Sequence, residues 1–253
     1  MSDRLTSNPG DACGYPAIAP PLAVPMATPP PRDCPYLPGR QATMRAFYAS
    51  KMPPKVYHDF MDAGFRRAGC VVYQPICVGC RACQPIRVPV AEFAPSKSLR
   101  RCRRRNGDLL VTIAKPQLTE EKYELYRRYQ ALRHNGDMEE NAQSLDGFLY
   151  QSPVSTVEFV YRDNTARLVA VGICDVCERS VSSVYFFFDP AESQRGLGNF
   201  GALTEIDYAA SLKIPYWYVG YWVKGCRAME YKANFRPHEL LHPDGVWRGE
   251  NYG

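Results

Sequence analysis

The 253-residue sequence lacks the marks of an exported or membrane-anchored protein. Its start carries no basic segment followed by an uninterrupted apolar stretch, so no secretory signal is expected. The apolar stretch Tyr15–Pro31 is broken by Pro16, Pro20, Pro21, Pro25, Pro29, Pro30 and Pro31. Prolines at that density exclude a helix, and with it a membrane crossing. The expectation is a cytoplasmic chain with no membrane partner. Its 10 cysteines then read as reduced thiols, metal ligands or core residues, not disulfides. Histidine is scarce: His58, His134, His238 and His242 stand alone, without ligand spacing. No nucleoside-triphosphate motif is present. Acidic residues are absent from one stretch, Ser96–Asn106, and that absence is the most informative.

In that stretch lie six cations: Lys97, Arg100, Arg101, Arg103, Arg104 and Arg105. The overall charge of +5 is mild and argues little. A local stripe is different, because guanidinium forks match phosphate oxygens and a concentrated stripe makes a binding field. Just before it stand Cys77, Cys80 and Cys83 at C-x2-C spacing, which lets thiolates converge on one ion. A metal-clipped loop beside a basic patch suggests a grip on nucleic acid. Each feature has a plainer reading: the cysteines as small core residues, the arginines as a solvated face.

The chain divides into three parts. Residues 1–32 are Pro-rich and predict disorder. Residues 33–116 form a small Cys- and Arg-rich unit. There Arg40–Ser50 and Pro54–Ala63 read as short helices, Cys70–Gln74 as a short β run, and Ile86–Phe93, with Pro89, as an edge strand at best. Residues 117–253 are more regular. Thr119 caps a helix running to about His134, ended by Asn135, Gly136 and Asp137. Ser155–Arg162, Leu168–Val176 and Val181–Asp189 are β runs, with a turn at Asn164 and Thr165. A helix from Asn199 to about Leu212 and a buried aromatic strand Ile214–Tyr221 follow. Cys174 and Cys177, three apart along a strand, point to opposite faces and read as core. The Tyr and Trp residues of Pro215–Trp222 also read as core.

Strand, hairpin, strand, helix, strand is an α/β pattern. Arg195-Gly196-Leu197-Gly198 lies before the helix, where glycines let backbone N–H groups approach an anionic or carbonyl ligand. A tight loop with a helix start is the plainer reading. These elements resemble the N-acetyltransferase (GNAT) fold, whose R/Q-x-x-G-x-G/A loop holds the coenzyme A pyrophosphate. Here the first motif position is Ser193, so the full signature is absent and another acyl donor is favoured. The expected class is α+β: the small N-terminal unit plus a GNAT-like α/β acyltransferase domain.

The donor is suggested by the run Tyr221-Trp222-Val223-Lys224-Gly225-Cys226-Arg227-Ala228-Met229-Glu230-Tyr231-Lys232-Ala233-Asn234-Phe235-Arg236-Pro237. Together with Tyr73-Gln74-Pro75, Arg87-Val88-Pro89-Val90 and the basic run, it resembles the bacterial aminoacyl-tRNA–protein transferases, nearest the aspartate/glutamate leucyltransferase subgroup. The resemblance covers roughly residues 34 to 245. It implies transfer of leucine, with arginine as the other candidate, from aminoacyl-tRNA to proteins that begin with Asp or Glu, marking them for N-degron degradation. It implies no cofactor for the chemistry. The acceptor-stem phosphates would meet Lys97, Arg100, Arg101, Arg103, Arg104, Arg105 and Arg195. The acceptor's carboxylate would meet one or two of Lys224, Arg227, Lys232 and Arg236, near Tyr221, with Lys232 foremost. Eukaryotic relatives use an N-terminal Cys pair in an iron–sulfur site. The resemblance therefore adds Cys34 to Cys77, Cys80 and Cys83 as ligands for zinc or a cluster, although Leu37 stands where the second Cys of the pair would be. No catalytic acid or base is indicated.

Two other functions account for part of the sequence. A non-catalytic, zinc-stabilised RNA-binding protein explains the cysteines and arginines alone. A coenzyme A-dependent N-acetyltransferase explains the α/β part alone.

Overall fold

The computed structural model describes residues 24–133 and 141–249. The N-terminal part builds a small layer. Strands β1 (Arg32–Asp33) and β2 (Gln41–Ala42) pair with each other. Strand β3 (Met44–Tyr48) pairs with β5 (Val71–Pro75), which also pairs with β4 (Arg66–Ala68). Helix α1 (Pro54–Asp62) packs Tyr57, Phe60 and Met61 into this unit's core with Phe47, Phe65 and Val72. Pro54 sits in its first turn, where the missing N–H costs nothing.

Three expectations differ here. Arg40–Ser50 is not a helix: β2 and β3 occupy it, because the edge of β5 offers a ladder of hydrogen bonds that outweighs local propensity. Of the stretch expected to be disordered, residues 24–32 have a defined path: Ala27 exchanges two backbone hydrogen bonds with Ala46, and Arg32 begins β1. Strand β6 (Cys83–Pro89) is interior rather than an edge, lying between β12 (Glu239–Leu241) and β11 (Tyr216–Val223). Its prolines are tolerated because β12 pairs only with Ile86 and Arg87, between Pro85 and Pro89.

The remaining elements complete an eight-stranded mixed sheet in the order β13-β12-β6-β11-β10-β9-β8-β7. Its other strands are β7 (Leu110–Ala114), β8 (Thr156–Arg162), β9 (Leu168–Val176), β10 (Ser180–Phe188) and β13 (Trp247–Gly249). The sheet therefore runs across the boundary expected at residue 116, since β6 and β7 precede it. Helix α2 (Lys97–Arg105) is capped by Ser96, whose hydroxyl accepts from the Leu99 N–H at 3.3 Å. Helix α3 (Glu120–Arg133) starts at Thr119 as expected; Asn135, Gly136 and Asp137 lie outside the described residues. Helix α4 (Ala142–Leu145) runs into a short π turn, Asp146–Tyr150. Helix α5 (Leu197–Ser211) lies on the sheet, and α6 (Arg227–Glu230) follows β11. The expected hairpin of β8 and β9 and the aromatic strand β11 are present within a few residues. Cys174 and Cys177 are buried in different clusters, as opposite-facing core residues would be.

Two features break the regularity of this sheet. Strands β10 and β11 run parallel and pair only from Ser180/Tyr216 to Ser182/Tyr218. Beyond that point β10 follows β9 and β11 follows β6, so the two strands fork. Past the fork, β11 carries an irregularity between Tyr218 and Tyr221, with Gly220 at φ +92°. The extra residue re-aims Tyr221 to the face already used by Tyr218.

Candidate functional site

The signature run folds back on β11. After α6, a 3-10 turn at Tyr231–Asn234 turns Lys232 inward, where its ammonium donates to the Tyr221 carbonyl at 2.8 Å. The irregularity in β11 makes room for it: a Cβ at Gly220 would lie 3.3 Å from Nζ. Burial is the main force on this amine and the Arg66 guanidinium the next; together they pull its pKa down to about 7, against opposing effects of Cys226 and Cys83.

Arg66, on β4, reaches the same place from the N-terminal unit. Its Nη2 donates to the Gly220 carbonyl at 3.2 Å, and Nη1 to the Phe65 and Met61 carbonyls at 2.6 and 3.3 Å. Its guanidinium lies over the rings of Tyr218 and Tyr221, at 5.2 and 5.6 Å from their centroids. The Tyr221 hydroxyl donates to the Gly64 carbonyl at 2.8 Å, so Tyr221 braces the site. Of the four cations expected for the acceptor, Lys232 alone is buried; Lys224, Arg227 and Arg236 are exposed. Sequence reasoning missed Arg66, which nothing near it marks out.

The four cysteines come together. Cys34, Cys77, Cys80 and Cys83 line one cavity, walled also by Tyr36, Leu37 and Met44. The Cys83 thiol is pushed up to about 12 by burial and by the neighbouring Cys77, Cys34 and Cys80. Among the described residues no group of three or more His, Cys, Asp or Glu is arranged to hold a metal ion. In this structure Cys77 Sγ exchanges hydrogen bonds with the Thr43 backbone. The donor set suits zinc or a cluster; a closed coordination geometry is not formed.

The basic run is helical, and its residues sort by face. Leu99, Cys102 and Asn106 point inward, while Lys97, Arg100, Arg101, Arg103, Arg104 and Arg105 are exposed. The inner face grips the loop before α5: Cys102 Sγ reaches the Gly196 carbonyl at 3.3 Å, and Asn106 donates to the Arg195 carbonyl at 3.0 Å. Gly196, at φ +69°, makes the turn into α5 in the left-handed region. Arg105 donates to the Gln194 carbonyl at 2.5 Å and Arg103 pairs with Asp207 at 3.0 Å. Lys97, Arg101 and Arg104 form no ion pair among the described residues. Arg195 is engaged differently from the expectation: Asp108 holds it through two bonds of 2.8 and 2.9 Å, and Glu192 at 2.7 Å.

At the base of the fork sits an acid that the sequence does not reveal. Glu205 of α5 is fully buried and accepts from Trp217 Nε1 at 2.9 Å and Ser183 Oγ at 3.3 Å. Burial raises its carboxyl to about 7, against those hydrogen bonds. Of the histidines left without chemistry, His58 is buried and shares a hydrogen bond of 3.1 Å with Ser180 Oγ.

Comparison with known proteins adds to this geometry. The family model described as arginine-tRNA-protein transferase, N terminus, matches residues 32–101, and its C-terminus counterpart matches residues 121–242. An aspartate/glutamate leucyltransferase of Pseudomonas fluorescens is 42% identical over 214 residues, covering 83% of this chain and 91% of the relative. Proteins of the same name from Pseudomonas putida and Pseudomonas syringae pv. tomato are 42% and 40% identical with the same coverage. Among solved structures, L-PGS from Bacillus licheniformis aligns with 81% of this chain and 66% of that one, at 14% identity and a TM-score of 0.47. A likeness of that size identifies neither fold nor function.

Proposed function

Because the chain belongs to the arginine-tRNA–protein transferase family, we propose that it moves leucine from leucyl-tRNA to the α-amino group of proteins beginning with Asp or Glu. The product carries leucine as its new first residue, the mark for N-degron degradation. One observation carries this reading: aspartate/glutamate leucyltransferases align over 83% of this chain and 91% of their own length, so N-terminal unit, sheet and signature run are matched together.

The ester of an aminoacyl-tRNA is already activated, so the transfer needs neither ATP nor a cofactor. An α-amino group has a pKa of about 8, which leaves a useful neutral fraction near pH 7. The neutral nitrogen attacks the ester carbonyl and forms the C–N bond. The carbonyl oxygen briefly carries the negative charge. As the C–O bond to ribose breaks, the nitrogen gives up a proton and the ribose oxygen takes one. Holding the two substrates in register and stabilising that oxyanion are the main tasks.

The fork between β10 and β11 offers a place for the aminoacyl group, beside the start of α5. The inner face of α2 grips the loop that leads into α5, and the exposed cations on its outer face would track the acceptor stem. Lys232 stands on the acceptor side. Cys34, Cys77, Cys80 and Cys83 would hold zinc or an iron–sulfur cluster, which would cross-link the N-terminal unit next to Lys232. No helix of the described residues is long and apolar enough to cross a membrane.

A donor panel tests the proposal. Purified protein is given leucyl-tRNA, arginyl-tRNA or acetyl-coenzyme A, each with a peptide beginning with Asp. Product with leucyl-tRNA is the expected result; product with acetyl-coenzyme A alone contradicts it.

A further inference from the structure

Among the described residues five lysines and arginines are buried: Arg66, Arg67, Arg87, Lys122 and Lys232. Three of them have a carboxylate partner. Arg67 pairs with Asp175 at 2.5 Å, Arg87 with Glu239 and Asp62 at 2.6 and 2.7 Å, and Lys122 with Glu158 at 2.5 Å. This is the general rule for buried charge, since an isolated ion in the interior loses its hydration without return. Arg66 and Lys232 break the rule, at 5% and 8% exposure, and among the described residues neither meets a carboxylate.

The two exceptions are neighbours. Both meet Gly220, Arg66 at its carbonyl and Lys232 beside its Cα. Each depends on carbonyl oxygens for its hydrogen bonds, and the Nε of Arg66 is buried with no acceptor at all. Two like charges brought together out of water repel. Gly220 is what lets the ammonium come so close to β11: a Cβ there would lie 3.3 Å from Nζ.

We propose that Arg66 and Lys232 together form the subsite that takes the side-chain carboxylate of the acceptor's first residue. A carboxylate there would satisfy the free Arg66 N–H, accept from the Lys232 ammonium, and neutralise the paired positive charge. Asn and Gln are excluded on the same physics: their amide oxygen accepts a bond but brings no charge, and their NH2 group faces two donors. Arg66 is thus a specificity residue contributed by the N-terminal unit, and Lys232 its counterpart from the signature run. The inference rests on the leucyltransferase reading for the identity of its ligand.

Binding and transfer are measured separately, so that failure of one reading is distinct from failure of the other. Peptides beginning with Asp, Asn and Ala are titrated without tRNA against wild type, Arg66→Met and Lys232→Met, and melting temperature is followed. Arg66→Lys and Lys232→Arg, which keep the charge, accompany them in case a Met variant folds poorly. Wild type should bind the Asp peptide in preference to the Asn peptide. Each Met variant should lose that preference by about tenfold or more, the scale of losing one partner of a buried charge pair, with tRNA affinity preserved. The charge-keeping variants should retain part of it. Equal binding of Asp and Asn peptides by wild type overturns the proposal, as does an Asp preference that survives every variant. Loss of all peptides alike with a fall in bound metal overturns it too, since Lys232 would then serve the cysteines. Asp-selective binding without leucyl transfer would keep the subsite and reject the donor.

Discussion

Glu205 shows how a single buried group ties the sheet to pH. Its carboxyl is raised from 4.5 to about 7 by burial, whereas in the unfolded chain it titrates in the ordinary range. Between those two pH values the folded protein holds a proton that the unfolded chain has released, so stability falls as pH rises through the window and levels off above it. Replacing Glu205 with Gln removes the titration. Denaturant unfolding of both proteins from pH 5 to pH 8 should show the variant gaining on wild type by up to about 3 kcal/mol. Curves that stay parallel would mean that Glu205 ionises normally. Neither Glu205 nor Arg66 was legible in the sequence. Their meaning comes from partners on other elements, Trp217 of β11 for Glu205 and Gly220 for Arg66, and no local pattern records such a pairing. Lys232 was legible because it belongs to a long, specific run.

Elements were legible where local pattern and tertiary pairing agree. β8, β9 and β10 alternate or run apolar with a turn between the first two, and they lie where expected. Residues 40–50 misled because their composition suits a helix while β5 supplies a strand partner more than 20 residues away. Pro89 misled because the partner β12 is too short to require its missing N–H. For α2, charge was legible and helicity was not: the 3.6-residue spacing of Leu99, Cys102 and Asn106 is brief and set among arginines. That helix carries its own test. Replacing Arg101, Arg104 and Arg105 with Ala should weaken tRNA binding and flatten its dependence on salt, because each lost phosphate contact releases fewer counterions. Arg101 and Arg104 are exposed and Arg105 gives up one surface bond to the Gln194 carbonyl, so the fold should be largely spared. Unchanged affinity and slope would reduce the run to a solvated face.

At the scale of the whole molecule, the N-terminal unit and the large sheet are joined by buried polar contacts. Arg67 of β4 holds Asp175 of β9 with two bonds, and Arg66 reaches Gly220 of β11. The cysteine cavity lies within the N-terminal unit beside β6, the strand that passes from one part into the other. If zinc or a cluster binds there, coordination free energy becomes folding free energy for that unit. Protein purified without oxygen should contain bound zinc or show visible absorbance, and Cys80→Ser should lose both that signal and thermal stability. Fully active protein free of metal and cluster would leave the cysteines as plain thiols.

The most direct test of the central claim is the mass spectrum of peptides after incubation with the protein and leucyl-tRNA. Equal amounts of peptides beginning with Asp, Glu, Asn and Ala share one tube. The expected result is one added leucine on the α-amino group of the Asp and Glu peptides, with the other two unmodified. Leucine on all four alike, or on none while arginyl-tRNA modifies the Asp peptide, would contradict it.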